Sequence, residues 1–137
     1  MARLHYFFVA AVSLALHMGC DVVSGSDTDF LSRICNGNIF PGYWHEKDYP
    51  ETLVQKIVDN TPDADGHEYY THDKYYSVDF CGHGVCTAGM SREDCSTCLK
   101  AARDNLWGKC NKATVGAQVQ LRGCRIRYEE YHFNNDG

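Results

Sequence analysis

Five of the chain's eight cysteines fall between Cys86 and Cys124, at the spacing Cys86-x8-Cys95-x2-Cys98-x11-Cys110-x13-Cys124. Among them lies the clearest helical pattern in the sequence. Ser91, with Asp94 three residues on, forms a capping-box arrangement that satisfies amides left free at a helix start. Glu93 and Asp94 add negative charge to the first turn, where the helix dipole favours it. Cys95, Cys98, Leu99, Ala102 and Leu106 then recur at spacings of three and four, which makes one apolar face. Gly108 is a natural stop. Residues three apart share a helix face, so Cys95 and Cys98 point at the same neighbour and are placed to staple the helix to other elements. A thioredoxin-like redox motif would need a preceding strand in a βαβ context, which is absent. A zinc site with Cys110 and Cys124 has workable spacing, but the chain has the features of a secreted protein, where a structural disulfide framework is the stronger reading.

Those features lie at the start of the chain. Arg3 is followed by an apolar run from Tyr6 to Leu16, and Val23-Ser24-Gly25 offers small residues at a cleavage site. Residues 1–25 read as a signal peptide cut before Ser26. The run is too short to span a membrane, and no later stretch is apolar enough to do so. Removal of the leader takes Cys20 with it and leaves seven cysteines, an odd number. The formal charge of −5 supplies no cationic footprint for a nucleic acid. At 137 residues, the chain is one domain, 26–137, behind its leader.

Strand and helix signals alternate through that domain. Phe30–Cys35 alternates as a first strand, with Phe30, Ser32 and Ile34 on one face. Pro50 at a first helical position and Pro62 beyond the end bracket a helix from Tyr49 or Pro50 to Asn60, with Leu53, Val54, Ile57 and Val58 as its buried stripe. Residues 67–71 and 74–87 read as two strands rich in tyrosine. Gly82 and Gly84 within the second suggest a bulge or a close backbone approach. Gly116–Arg122 and Arg125–Phe133 are the last two strands, either a hairpin or one bent strand. Phe30, Ile34, Leu53, Ile57, Phe80, Val85, Leu99, Ala102, Leu106, Val119, Leu121, Ile126 and Phe133 are the expected core residues.

The cysteine spacing, the run Gly116-Ala117-Gln118-Val119-Gln120-Leu121 and the triplet Arg127-Tyr128-Glu129 resemble the plant ginkbilobin-type domain. This family is also called the stress-antifungal or cysteine-rich secretory repeat domain, and the resemblance runs from about Asp29 to Phe133. It implies an α+β fold: two helices packed on one antiparallel sheet of about five strands, stabilised by disulfides. Six cysteines allow fifteen pairings, and sequence physics does not choose among them. The resemblance implies Cys35–Cys110, Cys86–Cys95 and Cys98–Cys124, with Cys81 left over.

No catalytic constellation stands out, and the chain reads as a non-enzyme. Glu129 and Glu130 point to opposite faces of a strand, so they cannot act together as glycosidase acids. Cys81 and His83 share a strand face, but a nucleophile there would need a free, activated thiol. His67, His72 and His83 read as surface strand histidines and not as metal ligands, and no cofactor is expected. The resemblance implies something sharper, a secreted, apoplastic defence protein akin to mannose-binding antifungal lectins. The implied sugar ligands are Asn36, Gln118 and Glu129. Gln118 departs from the family, which has Arg there; an amide keeps hydrogen-bonding capacity but loses the charged fork of a guanidinium. If the last two strands form a hairpin centred between Gly123 and Cys124, Gln118 and Glu129 become cross-strand neighbours. The competing class is an extracellular protein-interaction module of the kind found in receptor ectodomains. Cys81 and Cys86 are five apart and face opposite ways on a regular strand, so Cys81 should face away from the helix. A disulfide-linked dimer through Cys81 is then slightly favoured over a buried thiol.

Overall fold

The computed structural model describes residues 26–133, so the leader lies outside the described residues. In chain order the elements are β1 (Phe30–Cys35), α1 (Tyr49–Asn60), β2 (Glu68–Tyr75), β3 (Val78–Cys86), α2 (Arg92–Trp107), β4 (Gly116–Leu121) and β5 (Cys124–Glu129), with short 3-10 turns on either side of α1. The five strands form one sheet in the order β1-β4-β5-β3-β2, and every pairing is antiparallel. Both helices pack on the same face. The fold is therefore α+β, as the family resemblance implies.

The helix ends follow from local chemistry. Ser91 Oγ accepts the Asp94 N–H at 3.1 Å, and the Gly108 N–H closes the last turn of α2 on Asp104 O at 2.9 Å. Pro50 sits in the first turn of α1, where its missing N–H costs nothing. At the far end Thr61 Oγ1 donates to Ile57 O at 2.7 Å. Leu53, Val54 and Ile57 of α1 and Leu99, Ala102 and Leu106 of α2 are fully buried against Val119, Leu121, Ile126 and Tyr128 of the sheet. Each buried leucine, isoleucine or valine side chain stabilises the fold by about 1.5–3 kcal/mol. The two strand glycines mark a close approach and not a bulge. A Cβ at Gly82 would lie 2.8 Å from Ile57 Cδ1, and one at Gly84 would overlap Ile57 Cγ2 and Thr61 Oγ1. Only glycine lets α1 settle this low on β3.

Three disulfides tie the layers together. Cys35–Cys110 joins the end of β1 to the segment after α2, Cys86–Cys95 joins β3 to the first turn of α2, and Cys98–Cys124 joins α2 to the start of β5. In a small secreted domain each contributes about 2–5 kcal/mol.

Several expectations need correction. Phe30 and Ile34 are not core residues: they are 48% and 58% exposed, and Val85 and Phe133 are only partly buried and lie outside the core. β1 is an edge strand, and Ile34, opposite Gln118, lies on the face that the helices leave bare. Lys74 and Tyr75 belong to β2 and not to the following strand, because the chain turns at Tyr76-Ser77, where Tyr76 has φ 53°. β5 ends at Glu129 and does not continue to Phe133.

Candidate functional site

Alternation along the strands gives the sheet a second face that carries no helix. Gln118 pairs with Arg127, Gln120 with Arg125 and Gly116 with Glu129 across β4 and β5. Cys81 and His83 continue the same face onto β3, and Tyr70 and His72 onto β2. Near β1 this face holds a cleft of about 240 Å³, which Asn36, Gln118 and Glu129 line together with Arg127, Ile34, Gly116 and Tyr131. The three residues singled out in the sequence therefore meet in one place.

Each is held by its neighbours. Asn36 Oδ1 accepts the Asn38 N–H at 2.9 Å, and the Asn36 N–H donates to Gly116 O at 2.9 Å. The amide is thus fixed at the end of β1, one residue past the Cys35–Cys110 bridge. Glu129 Oε1 accepts from Arg127 Nε at 3.2 Å, and both side chains are largely shielded. Burial pushes the Glu129 carboxyl above its usual range, against the pull of Arg127. A Cβ at position 116 would overlap Glu129 Oε2, so Gly116 makes the room that the carboxylate occupies.

The expected hairpin centre is off by one residue. The turn is Arg122-Gly123, which places Arg127 and not Glu129 directly opposite Gln118; Glu129 is the diagonal neighbour. Moving the centre by one residue leaves the facing parity intact, so Gln118 and Glu129 still share the bare face. Arg127 was missed for this reason, although the correct register would have exposed it: a guanidinium stands across from the Gln118 that lacks one.

Cys81 faces away from the helices, as its parity with Cys86 requires, but it is only 6% exposed. Residues 131–133 fold back over it: His132 Nδ1 lies 3.5 Å from Cys81 Sγ, and the Phe133 ring receives the Arg127 guanidinium at 4.2 Å. Burial pushes the thiol up, the opposite of activation. His83 is not a surface histidine but fully buried. It stacks on Tyr70 with 4.2 Å between ring centroids, and it lies between Glu68 Oε1, 3.0 Å from Nε2, and Arg125 Nη2, 3.4 Å from Nδ1. Arginine can only donate, so Nδ1 accepts and Nε2–H donates to Glu68. Glu68 alone would favour the protonated ring, but burial, with the Arg125 charge acting in the same sense, holds the His83 pKa below its usual value.

A larger open depression of about 650 Å³ runs along the solvated side of α1, between Asp48, Glu51, Lys56 and Asn60. It contains none of the singled-out residues.

Two helices on one face of a disulfide-bonded antiparallel sheet, with a polar cleft on the other, define a small cysteine-rich module. The chain belongs to the salt stress response/antifungal family, whose family model matches residues 34–131. It is 30% identical over 126 residues to antifungal protein ginkbilobin-like protein 1 of Picea sitchensis, covering 90% of this chain and 93% of that protein. It is 28% identical over 133 residues to antifungal protein ginkbilobin-2 of Ginkgo biloba, covering 96% and 97%. The fold recurs in the tandem DUF26 ectodomains of the Arabidopsis thaliana cysteine-rich receptor-like proteins PDLP8 (TM-score 0.69, 23% identity) and PDLP5 (TM-score 0.67, 18% identity). These matches cover 78% and 77% of this chain, which spans 51% and 52% of those two ectodomain chains. No helix among the described residues is long and apolar enough to cross a membrane.

Proposed function

We propose that this protein is a secreted plant defence protein that binds mannose-type glycans in the cleft between β1, β4 and β5, without catalysis. One observation carries the reading: Asn36, Gln118 and Glu129, from three separate stretches, line a single cleft. The cleft offers what vicinal sugar hydroxyls need, a carboxylate acceptor, amides that donate and accept, and the Arg127 guanidinium. Because Asn36 Oδ1 is engaged by Asn38, its side-chain amide nitrogen is the group left to donate. Arg127 keeps a cation in a cleft whose Gln118 has none. Ile34 and Tyr131 supply apolar walls.

Calorimetric titration with mannose and with mannan tests the reading. Binding is expected for the unaltered protein, and Glu129→Ala and Asn36→Ala should each abolish it, since each buried polar contact left unmade costs about 1–3 kcal/mol. No heat at millimolar sugar would favour the second reading, an extracellular protein-interaction module. A specific feature supports that alternative. Phe30, Leu31, Ile34, Ile39 and Tyr43, on and after the edge strand, are between 48% and 84% exposed, and exposed apolar side chains gathered at a sheet edge suit a protein partner.

A further inference from the structure

On the bare face of the sheet, one strand over from Glu129 of the cleft, three side chains with metal-binding atoms converge from three separate parts of the chain. His72 lies on β2, Cys81 on β3 directly opposite it, and His132 in the segment that folds back after β5. One ring nitrogen from each histidine and Cys81 Sγ all lie within 4.8 Å of one another. The His72 and His132 rings are 4.2 Å apart between centroids, and Cys81 Sγ is 3.5 Å from His132 Nδ1. Asp79 Oδ1 lies 3.5 Å from His72 Nε2, in the outer position from which a carboxylate orients a ligating imidazole.

We propose that His72, Cys81 and His132 form a zinc site of one thiolate and two imidazoles. Zinc takes thiolate sulfur at about 2.3 Å and imidazole nitrogen at about 2.0–2.1 Å in a tetrahedron, which sets ligand atoms roughly 3.3–3.6 Å apart. The Cys81–His132 pair already has that separation. His72 and His132 are exposed, so small side-chain rotations bring their nitrogens in and leave an entry path from solvent. On binding, Cys81 gives up its Sγ proton to water. One Zn–S and two Zn–N bonds form, the hexaaquo ion loses five of its six waters as it becomes four-coordinate, and no electron is transferred. Water holds the fourth position. A soft thiolate with two imidazoles favours zinc over magnesium or calcium, which take oxygen ligands. The ion would tie residues 131–133 to the sheet through His132. The site stands independently of the glycan reading.

The test uses protein purified from a secreting host. Titration with Zn2+ followed by calorimetry, and with Co2+ followed by absorption, should show one equivalent bound, with a thiolate-to-cobalt charge-transfer band. Cys81→Ser should lose the band. His132→Gln and His72→Gln should each weaken zinc binding by about tenfold or more, and Asp79→Asn by about tenfold. His132 lies outside every strand, so His132→Gln should melt like the unaltered protein in the absence of metal; that comparison separates lost ligation from misfolding. A wild-type protein with no sulfur band, equal zinc affinity in Cys81→Ser, or a dimer on non-reducing electrophoresis that vanishes in Cys81→Ser would each overturn the site.

Discussion

The two faces of the sheet are built from the same strands yet are held by different physics. On the helix side, Phe80, Val119, Leu121, Ile126 and Tyr128 are fully buried, and their contribution is the removal of apolar area from water. On the bare side, the same strands contribute Gln118, Gln120, Arg125, Arg127, Glu129, Cys81 and His83. There stability rests on pairing: Arg127 on Glu129, Glu68 on His83, and residues 131–133 laid over Cys81. Apolar burial tolerates approximate shape, whereas a shielded polar group is expensive unless partnered. The helix face therefore supplies most of the stability, and the bare face carries the partnered polar groups that line the cleft.

The sharpest break between the faces should appear in stability. Leu99→Ala, at a fully buried position of α2, is expected to cost about 2–5 kcal/mol. Gln120→Ala on the bare face removes side-chain bonds to Leu121 O and Cys124 O and should cost about 1 kcal/mol or less. Urea denaturation of both variants measures the gap, and equal losses would mean that the bare face also carries the core.

Gly116→Ala inverts that pattern. Its Cβ would displace the Glu129 carboxylate, so mannose affinity should fall by at least about fivefold if one site contact of about 1–3 kcal/mol is lost. Thermal stability should change little, because Gly→Ala also restricts the unfolded chain. Calorimetry alongside a melting curve checks both halves. A large loss of stability with binding intact would place the role of Gly116 in the fold.

This division explains what could be read in advance. The helices were legible because Ser91, Pro50 and the apolar stripes are local signals with a known period. The orientation of Cys81 was legible because strand parity is a two-residue rule. Its burial was not, because residues 131–133 belong to no strand and no periodicity marks where they fold back. Phe30 and Ile34 were misplaced in the core because an alternating strand does not disclose whether it lies at an edge. The grouping of Asn36, Gln118 and Glu129 came through the family resemblance and survived a hairpin centre wrong by one residue, since that error preserves facing. Arg127 was lost to the same error.

A finer probe of the bare face is the exchange of its cation. Arg127→Gln should weaken mannose binding by about tenfold, and Gln118→Arg should strengthen it by up to about tenfold, each near 1.4 kcal/mol. Affinity unchanged in both would show that no guanidinium contributes to the cleft.

The smallest expected effect concerns His83, where the bare face is most enclosed. Burial, with Arg125 beside the ring, lowers its pKa in the folded protein, so the ring stays neutral there while the unfolded chain titrates near its ordinary value of about 6.5. The unfolded state therefore binds the extra proton first as pH falls. By linkage, the stability that His83 contributes is fully present above about pH 6.5 and declines below it, with a slope of at most about 1.4 kcal/mol per pH unit for one proton. That decline ends once pH passes below the depressed folded value. Glu68 acts in a lower window: its hydrogen bond from His83 holds its carboxyl below the usual range, so its contribution is lost only as pH falls through the carboxylate range. Urea midpoints measured between pH 8 and pH 5 should therefore fall on the acid side, and His83→Phe should flatten the curve there and also shrink the fall at lower pH, because it removes the hydrogen bond that holds the Glu68 carboxyl low. A wild-type curve that is flat from pH 8 to pH 5 would mean that His83 takes up its proton in the folded state, with the Glu68 carboxylate outweighing burial.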